Sequence, residues 1–239
     1  MRSKSLLLKL VLALCIAPPT YSQQLEEIVV TGSYRTEGVT LPVIYLTQKA
    51  DFLVMRSYVE SDSRNILLRE EEVMKTIDSL EKKANDNPSI ELGILKVFEI
   101  DDEEIEYIEP FTLSDITLSS GYRADTSKAE IIIKTPIQED DSSPEKVLKR
   151  IEDFIESVPV TGRATLIDDG EAALSVTDIS QYRVPLLKAL AEDTELIQST
   201  LGENYNVSIS GLEQPLLWRV IGPLKLAIFF AYKSEANPR

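Results

Sequence analysis

The groups in this sequence that can do chemistry are carboxylates and hydroxyls, because it contains no histidine and a single cysteine, Cys15. Without imidazole there is no Ser-His-Asp or Cys-His nucleophile, no His-ligated metal site and no imidazole pH switch. Two acidic runs remain. Asp101-Asp102-Glu103-Glu104 sets four carboxylates side by side, a candidate for weak Ca²⁺ binding, but it lacks the spacing of an EF-hand loop. A run of this kind between two strands is expected to be a solvated turn. Asp168-Asp169 would serve general acid–base catalysis only with one carboxyl shielded and a pocket around both. A chain with 40 acidic residues produces such pairs by chance. Its nine glycines form no phosphate-cradling loop. We therefore expect no enzyme, no cofactor and no metal. The net charge of −15 argues against binding naked nucleic acid, and an apolar content of 43% argues against global disorder.

The elements that would position any site follow from periodicity and punctuation. Strands are expected at 41–46 and about 51–60. A long helix follows at roughly 64–84, with Ser61, Asp62 and Ser63 as N-cap candidates and an apolar stripe of Ile66, Val73, Ile77, Leu80 and Ala84. Strands at about 90–100 and 104–111 flank the acidic turn, and 129–135 is a strongly β-branched strand. Ser143-Pro144 opens a second helix reaching about Ser157, with Val147, Leu148, Ile151, Phe154, Ile155 and Val158 on its apolar face. Asp169-Gly170 between 161–167 and 172–176 signals a hairpin. A third helix spans roughly 180–201 and ends at Gly202. Strands at 206–210, 215–220 and 224–232 and a polar tail complete the chain. This order predicts an α+β domain, an antiparallel-rich sheet packed by about three helices.

The N-terminus reads as an export signal over residues 1–22. Arg2, Lys4 and Lys9 are positive, Leu6 to Ala17 is mostly apolar, and Thr20 and Ser22 are small residues suited to cleavage after Ser22. The apolar run is short for a membrane span, a retained anchor being the alternative. Cleavage would remove the three cations, taking the net charge from −15 to −18, and with them Cys15. The mature chain would then have no disulfide, so its stability must come from a packed core. Leu12-Ala13-Leu14-Cys15 departs from a lipoprotein box, because Leu14 is bulky where a small residue is usual.

The segment after that site has the chemistry of a donated strand. Ile28, Val29, Val30 and Thr31 are β-branched and favour extended backbone, and Gly32 would stop the strand. A strand of this kind can add to an exposed sheet edge through main-chain hydrogen bonds. It can equally be the first strand of the domain, pairing with 41–46. Glu26-Glu27-Ile28-Val29-Val30-Thr31-Gly32-Ser33 resembles a TonB box, the short element near the mature N-terminus of TonB-dependent outer-membrane receptors. The resemblance implies Glu26 to Gly32 as partner-binding residues and TonB or an outer-membrane receptor as partner. A receptor of that type needs a large barrel, on the order of 22 strands of about ten residues each, which 239 residues cannot supply. The box would therefore sit on a periplasmic module, over residues 23–40, ahead of a domain at 41–239.

The order of elements over roughly 26–233 resembles the SIMPL domain of bacterial envelope proteins. The resemblance rests on a strand before a long helix, Gly121-Tyr122-Arg123 leading into a strand, and a helix of the Pro-Glu-Lys-Val type at Pro144 to Val147. It also rests on a helix ending in Leu201-Gly202 before Val207 to Ser210. Glu192, Asp193, Thr194 and Glu195 stand where members usually carry an Ala- and Lys-rich repeat. The resemblance implies an exported, periplasmic, non-enzymatic protein, often a homo-oligomer, linked to envelope stress. It supplies no catalytic residues.

Overall fold

A computed structural model describes residues 27–30, 41–100, 103–121 and 123–238. Residues 1–22, expected to be an export signal, with Cys15, and Glu26, Thr31, Gly32, Ser33, Asp101, Asp102 and Tyr122, lie outside the described residues. The chain is an α+β protein in which every strand pairing is antiparallel.

The main sheet contains β1 (Glu27–Val30), β3 (Phe52–Ser61), β4 (Glu91–Ile100), β5 (Glu103–Pro110), β6 (Ser119–Ser120), β7 (Ser127–Pro136) and β8 (Ala164–Thr177). Its order is β3-β8-β1-β5-β4-β7-β6, and β7 also pairs with β3 along its whole length. Six strands therefore close into a ring, with β6 added at one end of β7. Along β3, alternate side chains go to opposite faces. Leu53, Met55 and Val59 join the larger core, while Val54 packs with Ile108 and Ile132, flanked by Phe52, Leu95 and Ala173. These six residues come from five of the six ring strands, so they fill the interior of the ring, as side chains do in small barrels.

The outer face carries the helices. In α1 (Ile66–Asn85), Val73, Ile77, Leu80 and Ala84 are buried as the stripe predicts, but Ile66 is 54% exposed. The N-cap is Asn65, whose Oδ1 accepts from the N–H groups of Leu67 and Leu68. The Ser61 and Ser63 hydroxyls are otherwise engaged. In α2 (Pro144–Ser157), Val147, Ile151 and Phe154 are buried, and Pro144 opens the first turn. Ser143 holds the N-cap position, but its hydroxyl bonds the Glu145 carboxylate instead of the helix backbone. A short 3₁₀ turn, Ile179–Tyr182, leads into α3 (Arg183–Leu201), where Leu186 and Leu190 are the buried residues.

Smaller sheets complete the body. β2 (Leu46–Lys49) pairs with β11 (Lys225–Phe229), which forms a hairpin with β10 (Leu217–Gly222). The strand expected at 41–46 is displaced: 41–45 is irregular, Val43 is 83% exposed, and pairing starts at Leu46. It pairs with β11, and among the described residues β1 pairs with β5 and β8 instead. The polar tail forms β12 (Lys233–Pro238) against β9 (Tyr205–Ser210). Its polar side chains are all exposed, so backbone pairing alone carries it and hydrophobic periodicity is silent. The Asp169-Gly170 hairpin is also corrected. Both flanks belong to the single strand β8, and both pair with β3. Residues 169–171 stand opposite Arg56 alone, so they bulge outward, Gly170 taking φ +73°.

Candidate functional site

The seat of β1 and a buried polar knot are the two places where function can be sought. Register places Glu27 to Val30 opposite Thr177 to Leu174 of β8. On the other edge, Glu27 and Ile28 stand opposite Ile108 and Tyr107 of β5. Of the residues proposed for partner binding, Glu27, Ile28, Val29 and Val30 thus occupy one slot, in the same sheet as the domain behind them. The slot walls are held without β1. β8 is laced to β3 from Phe52 to Ser61, and β5 to β4 from Gly93 to Ile100. Arg56 Nη2 reaches across the ring from β3 to Glu106 Oε1 of β5 at 2.8 Å. At the top of the slot Asp51 Oδ2 accepts from both the main-chain N–H and the hydroxyl of Thr177, each at 2.8 Å.

The polar knot lies where β3 hands over to α1. Glu72 falls on the buried stripe of α1, and its Oε2 accepts from Ser61 Oγ at 2.6 Å and Ser63 Oγ at 2.7 Å. The Arg163 main-chain N–H also bonds this carboxylate. One turn along, Thr76 Oγ1 accepts from the Thr161 N–H at 3.0 Å. Arg69 Nε donates to Ser127 Oγ, and Arg69 Nη1 to the Ser63 carbonyl. Outside the knot, Arg163 grips Asp62 with two donors, at 2.6 and 2.8 Å, and Arg123 adds a third at 3.3 Å. Hydrogen bonding by Ser61, then by Ser63, holds the Glu72 carboxyl below its usual range against the opposing effect of burial. The Arg163 hydrogen bond is the main reason the Asp62 pKa falls to about 2.

Chemically the knot is a clamp. A Ser–Glu pair could activate a hydroxyl, but Ser61 and Ser63 are buried and a carboxyl held ionised is a weak base. What it does is tie three chain segments, the end of β3, α1 and the turn before β8. A folded carboxyl pKa held below the unfolded value adds stability above that value, and the gain is lost as pH falls through the folded pKa. The stability gap between wild type and Glu72→Gln is therefore expected to be full at neutral pH and to close as pH drops below 4.5, the ordinary Glu value. Urea melts from pH 7 to pH 3 check this; a gap that is constant with pH would mean the charge of Glu72 contributes nothing.

The acidic runs behave differently. Ile100 pairs with Glu103 in the β4–β5 ladder, and Asp101-Asp102 lies outside the described residues. Asp168, at the edge of the β8 bulge, and Asp169, within it, are exposed, and Asp168 Oδ1 accepts from the Gly170 N–H. Neither carboxyl is shielded as general acid–base work requires. Among the described residues no three acidic or thiol groups gather as a metal site. No described helix is long and apolar enough to cross a membrane. The clamp was missed in the sequence because the apolar stripe of this helix was followed without its polar neighbours; the spacing of Arg69, Glu72 and Thr76 with Val73, Ile77 and Leu80 is the signal that could have found it. Compared with protein-family models, with curated proteins and with solved structures, the chain has no match in any of the three.

Proposed function

We propose that this chain is an exported, non-enzymatic assembly protein of the bacterial cell envelope, periplasmic and SIMPL-like, whose N-terminal strand is an internal member of its sheet. The seating of β1 between β8 and β5 carries this reading. A strand with partners on both edges is spent as a donor while it stays in place. The resemblance in element order, the signal-like leader and the absence of an activated nucleophile among the described side chains add to it. Such a protein works through surfaces and self-association, and links to envelope stress through the family it resembles.

A second reading rests on the same segment. Residues 26–33 follow the expected cleavage site and resemble a TonB box, four of them being the described strand β1. In this reading the strand leaves its slot and adds to TonB or an outer-membrane receptor. The test is binding of a purified TonB C-terminal domain to the mature chain, with and without residues 23–36. With the internal-strand reading, the intact chain binds no TonB domain, the deletion destabilises the fold, and light scattering finds a homo-oligomer. Binding that disappears with the deletion while the fold survives would instead establish the TonB role.

A further inference from the structure

We infer that the slot between β8 and β5 is an acceptor for β1 of a second copy of this chain, so that two copies exchange their N-terminal strands. This deepens the assembly reading above and rests on it. β1 is the one element joining β8 to β5 among the described pairings, and its residues carry main-chain partners from Glu27 to Val30. Withdrawing it opens the ring without dismantling its walls. β8 keeps its ladder to β3, β5 keeps its ladder to β4, and the Arg56–Glu106 pair with the Val54, Ile108 and Ile132 cluster still spans the interior. The vacated slot then shows two facing strand edges at a fixed separation, which only an extended strand can satisfy.

The occupant follows from the chain itself. Ten residues, 31–40, lie between Val30 and Leu41, and the body has resumed by Ile44, which packs against the core. Ten residues reach at most about 35 Å when extended, and a domain of this size is about 40 Å across by the usual scaling of its radius of gyration. That reach carries β1 to the slot of a copy docked beside its own. A second copy brings a strand that already fits the slot, residue for residue. Reciprocal exchange uses up both donors and both slots, so the pair is closed and two-fold.

The mature chain has no cysteine if cleavage follows Ser22, and Cys15→Ser makes any preparation thiol-free. Val29 and Ser175 are register partners. One chain carrying Val29→Cys and a size-tagged chain carrying Ser175→Cys are refolded together and oxidised. Exchange predicts a disulfide-linked heterodimer whose mapped peptides join position 29 of one chain to position 175 of the other. A single chain with both substitutions, held dilute, should give the internal disulfide and so prove that the substituted slot folds. Internal disulfide in the doubly substituted chain with no heterodimer in the mixture overturns exchange, and absence of both overturns the slot itself. A heterodimer without TonB binding leaves the assembly reading intact, whereas an oligomer of unchanged mass after Ile28→Pro would show that assembly exists but does not run through β1.

Discussion

Gly162→Ala is expected to destabilise the folded chain by about 3 kcal/mol, from a backbone penalty of about 1–2 kcal/mol and the loss of a charge-assisted hydrogen bond of about 1.5–3 kcal/mol. Gly162 has φ +60°, a region that residues with a Cβ avoid. A Cβ there would sit 2.1 Å from Glu72 Oε1. A flexible carboxylate could normally swing away at little cost. This one is pinned by Ser61 and Ser63, so moving it strands two buried hydroxyls. Equilibrium urea unfolding measures the loss. The cause is tested by adding Glu72→Ala, which removes the obstacle: the double variant should lose clearly less than the sum of the two single losses. Strict additivity would mean that the backbone alone objects and that the clamp is not what Gly162 protects.

Ile28→Pro is expected to unseat β1 without melting the body. Ile28 stands opposite Val176 on one side and Tyr107 on the other, so its N–H faces a ladder whichever way it points. Proline removes that donor and does not fit a central strand. The described pairings of β1 are four to β8 and two to β5, a short ladder for one proline to interrupt. A loss of about 3 kcal/mol corresponds to roughly a hundredfold faster amide exchange at Leu174 and Val176, which alternate with Ser175 and Thr177, whose main-chain groups bond Asp51 instead. Amides of Ile131 to Ile133 in β7 should keep their protection, because their ladder to β3 does not involve β1. Equal loss across both regions would show that the ring stands or falls as one unit, and that strand exchange has no intermediate to pass through.

The fold was legible where burial and periodicity agree. The β-branched strand at 129–135, the α2 face and the stripe of α1 from Val73 to Ala84 lie where apolar spacing places them. Pattern failed where backbone alone decides. β12 has no apolar face to announce it, and Asp169-Gly170 carries hairpin chemistry yet bulges, because Ala172 to Ser175 find partners on the same strand as Ala164 to Asp168. The N-cap failed through competition, Asn65 capping α1 while Ser61 and Ser63 serve Glu72. At the candidate site the β-branched character of 28–30 was readable, but its two neighbours were not, because long-range pairing leaves no mark in local composition.

The seat of β1 sets an order of events during synthesis. β1 leaves the ribosome among the first segments, yet its partners on β8 are complete only once residue 177 of 239 has been made. Until then the β-branched strand has only its β5 edge to pair with, at Tyr107 and Ile108, and every other described strand emerging before β8 is a wrong partner for it. Pairings this distant close slowly, since the loop must be ordered before the contacts repay it. The earliest of the described strands is thus the last whose partners are all made. This order favours a newly made chain whose closing strand is still outside while other chains are close by, the condition under which strands are exchanged.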